Sequence, residues 1–142
     1  MKRGYALLVL ATLAACVSSS IRWARPTDFS MVIVDNPARK RFDLTLTSKA
    51  TEPLCLSKEA WPDEAGLPLG FDGAALVTSA GTKELLPTGS TYCPDGCGEV
   101  RVVPSQSVHG ILPYSAFGDE EAIAKDSVRT LFFEAHPYIC SK

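Results

Sequence analysis

The chain lacks any apolar run of about 20 residues, the length a membrane-spanning helix needs; the uncharged, Leu/Val/Ala-rich run from Gly4 to Ala15 is too short. Histidine is scarce. His109 and His136 stand alone, outside any H-E-x-x-H or H-x-H pattern, so a histidine-rich metal or acid–base site has no framework and both read as surface or partly buried neutral rings. No serine sits in G-x-S-x-G, which leaves a serine hydrolase without its nucleophile elbow. Asp63-Glu64, near Gly66, lacks the Asp/Asn spacing of a calcium loop. No basic stripe is available to neutralise phosphates: 14 Lys and Arg face 16 Asp and Glu, a formal net charge of −2, which argues against nucleic acid as partner. Internal repeats and low-complexity tracts are also missing. No nucleophile–base pair and no metal set emerges, so the sequence points to a non-catalytic protein without a cofactor or bound metal.

What is present begins at the N-terminus. Met1-Lys2-Arg3 is basic, and the uncharged stretch after it is rich in Leu, Val and Ala and closes on small residues. That order is the grammar of a secretory signal. Leu13-Ala14-Ala15-Cys16 resembles the lipobox of bacterial lipoproteins. The resemblance covers residues 1–16 and implies removal of residues 1–15, with lipid carried on Cys16. Two or more acyl chains give stable anchoring, at about 0.8 kcal/mol per buried methylene, where one gives marginal binding. Val17, a non-acidic residue after the cysteine, resembles the default outer-membrane sorting signal of diderm lipoproteins. The implied address is a bacterial cell envelope, lipid-anchored, on the outer membrane facing the periplasm.

Removing residues 1–15 of 142 leaves 127, a length that suits one domain, and takes Lys2 and Arg3 with it, so the charge moves from −2 to about −4. Residues 16–27 read as the lipidated cysteine and a flexible tether, with Ile21 and Trp23 able to rest at a lipid interface and Arg22 and Arg25 near headgroups. Residues 28–142 read as the folded domain.

Cysteine arithmetic fits export. With Cys16 set aside, Cys55, Cys93, Cys97 and Cys140 form an even set, which suggests two disulfides. Cys93-Pro-Asp-Gly-Cys97 has turn chemistry between its cysteines, so Cys93–Cys97 and Cys55–Cys140 is the preferred pairing. Cys55–Cys93 with Cys97–Cys140 is its rival. Zinc would want ligands in two close pairs, and here Cys55 and Cys140 stand alone.

The body reads as strands. Phe29, Met31 and Ile33 alternate with Ser30, Val32 and Val34, and Asn36-Pro37 makes a turn. Phe42, Leu44 and Leu46 alternate with Asp43, Thr45 and Thr47. Further extended pieces fall at 53–56, 74–79, 82–86, 99–103, 108–112 and 128–135, with a tight hairpin at Ala80-Gly81. Residues 119–126 read as a short helical crossover, with Glu120 and Glu121 placed to favour its dipole. Short strands, frequent turns and ten prolines point to an all-β sandwich. The runs Phe42 to Leu56 and Val103 to Gly110 resemble the strand patterns of small bacterial immunoglobulin-like domains, which include assembly modules and some protease inhibitors. That resemblance implies an immunoglobulin-like antiparallel β-sandwich and speaks to architecture more than function.

Two loops stand out as candidate binding surfaces. Leu86 to Glu99 is Gly/Pro-rich and carries Tyr92 and Asp95 beside Cys93 and Cys97, a braced surface at low entropic cost. The loop from Ala60 to Gly70 carries Trp61, and Trp and Tyr are over-represented at binding hot spots. Alternatively, Trp61 caps the core. The expectation that results is a lipid-anchored accessory or assembly protein that binds another envelope protein. The alternative is an inhibitor of an extracytoplasmic hydrolase, such as a protease or lysozyme.

Overall fold

The computed structural model describes residues 21–62, 73–86 and 97–141. The lipobox with Cys16, the Asp63-Glu64 cluster, and Tyr92, Cys93 and Asp95 lie outside the described residues.

The described residues are mostly β, with one short α-helix and three single 3-10 turns. The strands are β1 (Phe29–Asn36), β2 (Arg41–Ser48), β3 (Leu54–Ser57), β4 (Ala74–Thr78), β5 (Gly81–Glu84), β6 (Glu99–Val102), β7 (Ser107–Pro113), β8 (Arg129–Phe133) and β9 (Tyr138–Ile139). The helix, α1 (Glu120–Lys125), lies between β7 and β8. Three three-stranded sheets result, ordered β1-β2-β7, β6-β3-β9 and β5-β4-β8, and every pairing is antiparallel.

Period-two patterning explains β2. Phe42, Leu44, Leu46 and Ser48 are buried, and Arg41, Asp43, Thr45 and Thr47 face outward between them. A register slip of one residue would turn that whole set over, so the pattern fixes the pairing with β1 and β7. The core gathers Phe42, Leu44, Leu46, Leu54, Leu56, Trp61, Leu76, Leu112, Tyr114, Ile123 and Leu131. A fully buried Leu contributes about 1.5–3 kcal/mol, so this set is the main source of stability.

The two local hairpins, β1–β2 and β4–β5, have readable turns. Between β1 and β2 the Asn36 side chain accepts from the Arg39 N–H, and Lys40 closes the turn with φ +50°. Between β4 and β5 the connection is Ser79-Ala80, because Thr78 already pairs with Gly81; the turn lies one residue earlier than the sequence suggested. Gly81, at φ +116°, takes the backbone state other residues resist. In α1 the Asp119 carboxylate accepts from the N–H groups of Glu121 and Ala122, an N-cap.

The segment expected to be a tether is fixed from Arg22 onward. Ala24 N–H donates to the Pro137 carbonyl (2.9 Å), Ile139 N–H donates to the Arg22 carbonyl (2.8 Å), and Trp23 forms a bridge with Tyr138. β9 is therefore flanked by β3 on one side and residues 22–24 on the other.

Cys55 on β3 is disulfide-bonded to Cys140, just beyond β9. This is one of the two bonds of the preferred pairing, and it removes the rival in which those two bond elsewhere. Cys97 is also disulfide-bonded.

Candidate functional site

The outward face of the β1-β2-β7 sheet is the most developed surface. Its register sets out four cross-strand rows: Ser30, Thr47 and Ser107; Val32, Thr45 and His109; Val34, Asp43 and Ile111; Asn36, Arg41 and Pro113. Their side chains share one face because every second residue of a strand points the same way. Polar pairs tie the rows together. Thr47 Oγ1 lies 2.8 Å from Ser107 Oγ, and Thr45 Oγ1 lies 3.1 Å from His109 Nδ1. Asp43 accepts from Asn36 Nδ2 at 2.9 Å and pairs with Arg41 Nε at 2.8 Å. A groove of about 500 Å³ runs over β2 and β7, lined by Arg41, Asp43, Leu44, His109, Gly110 and Ile111.

On this polar lattice, Val32 and Val34 stand out at 53% and 52% exposure. They are neighbours on edge strand β1, beside Thr45 and Asp43. Two adjacent β-branched side chains give a stiff apolar strip, and the exchangeable hydroxyls and paired charges around it form a polar rim.

Trp61 requires a correction. It is buried at 2% exposure and cannot serve as a surface anchor. Its Nε1–H donates to the His109 carbonyl (3.1 Å), and its ring meets Phe133 edge-on, centroids 5.9 Å apart. A buried indole needs a partner for its N–H, and here that partner is the backbone of β7. Gly110 makes the approach possible: a Cβ there would lie 2.3 Å from the Pro62 carbonyl oxygen and 3.3 Å from Trp61. Trp61 therefore caps the core and covers part of β7.

A part-buried polar group, with only Tyr114 fully buried, joins the first sheet to the third. Tyr114 donates its hydroxyl to Asp35 Oδ1, and Arg129 Nε donates to Asp35 Oδ2 at 2.9 Å. Arg129 also reaches the carbonyls of Ala124 and Asp126, and its guanidinium lies 5.8 Å from the Tyr114 ring centroid. Burial, then the hydrogen bond to Asp35, pushes the Tyr114 hydroxyl up to about 12. Burial lowers the affinity of Arg129 for its proton, and the Asp35 carboxylate more than restores it. This is the signature of a structural ion pair, with every partner occupied within the fold.

A second concave region, about 320 Å³, lies where residues 23–31 meet residues 133–137. Trp23 stands at its edge, T-shaped against His136 (6.4 Å) and Tyr138 (6.0 Å). Tyr138 donates to Glu99, and burial followed by that bond pushes its hydroxyl up to about 12. Among the described residues no group of three or more His, Cys, Asp or Glu is placed to hold a metal ion. None of the described helices is long and apolar enough to cross a membrane.

Sequence reasoning missed Val32 and Val34 as surface residues. The available clue was that Phe29 to Val34 is apolar at five of six positions, too many for one buried face. No protein-family model, curated protein or solved structure matches the chain.

Proposed function

We propose that this chain is a lipid-anchored envelope protein that acts by binding another protein through the outward face of its first sheet. In this reading Cys16 carries the lipid, the three sheets form an immunoglobulin-like sandwich, and the partner covers Val32 and Val34. The observation that carries the binding surface is the exposed valine pair on an edge strand, rimmed by Thr45, Asp43 and His109. Burying both valines would contribute about 2–3 kcal/mol, enough to set the centre of a standard interface.

The test uses the full chain in envelope membranes of its own organism. Wild-type protein is expected to co-purify with a defined partner. Val32→Lys/Val34→Lys is expected to keep its melting temperature, since both side chains point outward, and to lose that partner at least ten-fold. Undiminished recovery would exclude this face.

A second reading, inhibition of an extracytoplasmic hydrolase, is favoured by one observation. Cys97 is disulfide-bonded, and the next residue, Gly98, accepts from the Lys58 N–H at 3.0 Å, which holds Gly98 to the body. A loop held that way would serve as a plug. The inhibitor would act on a purified protease or lysozyme and lose that effect when residues 93–97 are shortened.

A further inference from the structure

We propose that the edge formed by Ile21 and Trp23 lies against the membrane surface, so that the domain is seated on the bilayer rather than suspended above it. The proposal rests on the reading of Cys16 as the lipid anchor. Both residues are apolar and 59% exposed, which water alone does not favour. Neither belongs to a loose tail. Backbone bonds from Ala24 to Pro137 and from Ile139 to Arg22 hold the segment, and Trp23 is braced by His136 and Tyr138.

Chain length supplies the occupant. Cys16 and Ile21 are five residues apart, with Val17-Ser18-Ser19-Ser20 between them. Fully extended, that link spans at most about 18 Å. As a flexible coil its root-mean-square span is about 13 Å. The headgroup layer on each side of a bilayer is roughly 5–8 Å deep. An anchored Cys16 thus keeps Ile21 and Trp23 within about one link-length of lipid at all times. That tether gives the membrane a high effective concentration over any soluble ligand for this edge. Tryptophan is the residue most at home there, with an apolar ring and one N–H for the headgroup level. Arg22 and Arg25 flank it. Their bonds to Glu52 and Asp28 are surface pairs, worth little in water and exchangeable for lipid phosphate.

The chain contains its own control. It has two tryptophans, Trp23 exposed and Trp61 buried. The full-length protein would be produced in a lipoprotein-processing bacterium and reconstituted in phosphatidylcholine–phosphatidylglycerol vesicles, with and without bromine at a shallow acyl position. Mass spectrometry first reports whether Cys16 carries lipid; a chain without it removes the anchor reading, and this proposal with it. For the lipidated chain, bromine is expected to quench the Trp23 emission at least two-fold, taken as the difference between wild type and Trp23→Phe. The Trp61 emission left in Trp23→Phe is expected to stay unchanged. A lipidated, vesicle-bound chain whose emission is indifferent to bromine would overturn the seating while leaving the anchor in place.

Discussion

Single side chains decide two places in this fold, and both invite direct tests. Gly110 has no room for a side chain, since the Pro62 carbonyl oxygen lies where a Cβ would go. Gly110→Ala must push the Trp61-Pro62 segment off β7 and weaken the bond from Trp61 to the His109 carbonyl. Overpacking of this kind costs roughly 1–3 kcal/mol, so the urea midpoint should fall clearly while the slope is unchanged. Trp61→Phe should also destabilise, because it removes the N–H bond to the His109 carbonyl and leaves a cavity where the larger indole packed on Phe133. Tyr114 provides a pH test. Its hydroxyl is held neutral to about 12, above the ordinary tyrosine value of about 10, so the folded state favours the protonated form. The stabilisation is fully present below pH 10 and is lost as pH rises through 12. Tyr138 behaves the same way, through burial and then its bond to Glu99. Stability should therefore decline between pH 10 and 12, and Tyr114→Phe should remove about half of that slope while itself lowering stability at pH 7. An unchanged alkaline slope in Tyr114→Phe would show that burial and the bond to Asp35 do not hold the Tyr114 hydroxyl above its ordinary value.

At the level of elements, the sequence was most readable where one face is buried and the other wet. β2, with strict alternation from Arg41 to Ser48, was legible outright, and so were the short helix behind Asp119 and the long disulfide. β9 was not, because two residues between Pro137 and Cys140 carry no period; only pairing with β3 and with Trp23 makes them a strand. The same pairing turned an expected tether into a fixed edge, and Val-Ser-Ser-Ser followed by Ile-Arg-Trp gives no local hint of it. Trp61 was left between a binding loop and a core cap for a related reason, and the structure takes the second reading. Its partners, His109 and Phe133, lie far along the chain, and a Trp-Pro pair reads locally as a loop. The Cys55–Cys140 link closes 85 residues of sequence and ties β3 to the C-terminal end. On the chain-entropy account a loop of that length stabilises by roughly 4.6 kcal/mol. Cys55→Ala/Cys140→Ala should lose most of this in a denaturant titration, whereas a loss under about 1 kcal/mol would mean that residual structure already keeps the unfolded chain compact there.

Across the whole molecule, the chain changes sheet at most of its connections, so three small sheets must be held in register by contacts distant in sequence. β2 leads to β3 in the second sheet, β3 to β4 in the third, and β7 returns to the first before α1 carries the chain to β8 in the third. No sheet of three short strands is stable alone without a shared apolar face. The side chains of Leu44, Leu56, Leu76 and Leu112 supply that face, but dispersion and burial are non-directional and do not by themselves choose one relative placement. Asp35, Tyr114 and Arg129 add direction between the first and third sheets, because β1, the turn at 114–117 and β8 must all be in place for the three groups to be satisfied together. We infer that this network contributes more to uniqueness than to net stability. Asp35→Asn should therefore be costly, about 2–4 kcal/mol, because Arg129 keeps its charge in a site where it is only 14% exposed. Asp35→Leu/Tyr114→Phe/Arg129→Met should regain much of that loss in a urea titration, with no buried charge left to satisfy. The same triple variant should show broader amide resonances and weaker hydrogen-exchange protection in β8 than the wild type. If it proves as well protected as the wild type, the apolar core alone fixes how the sheets sit, and the ion pair is dispensable to the fold.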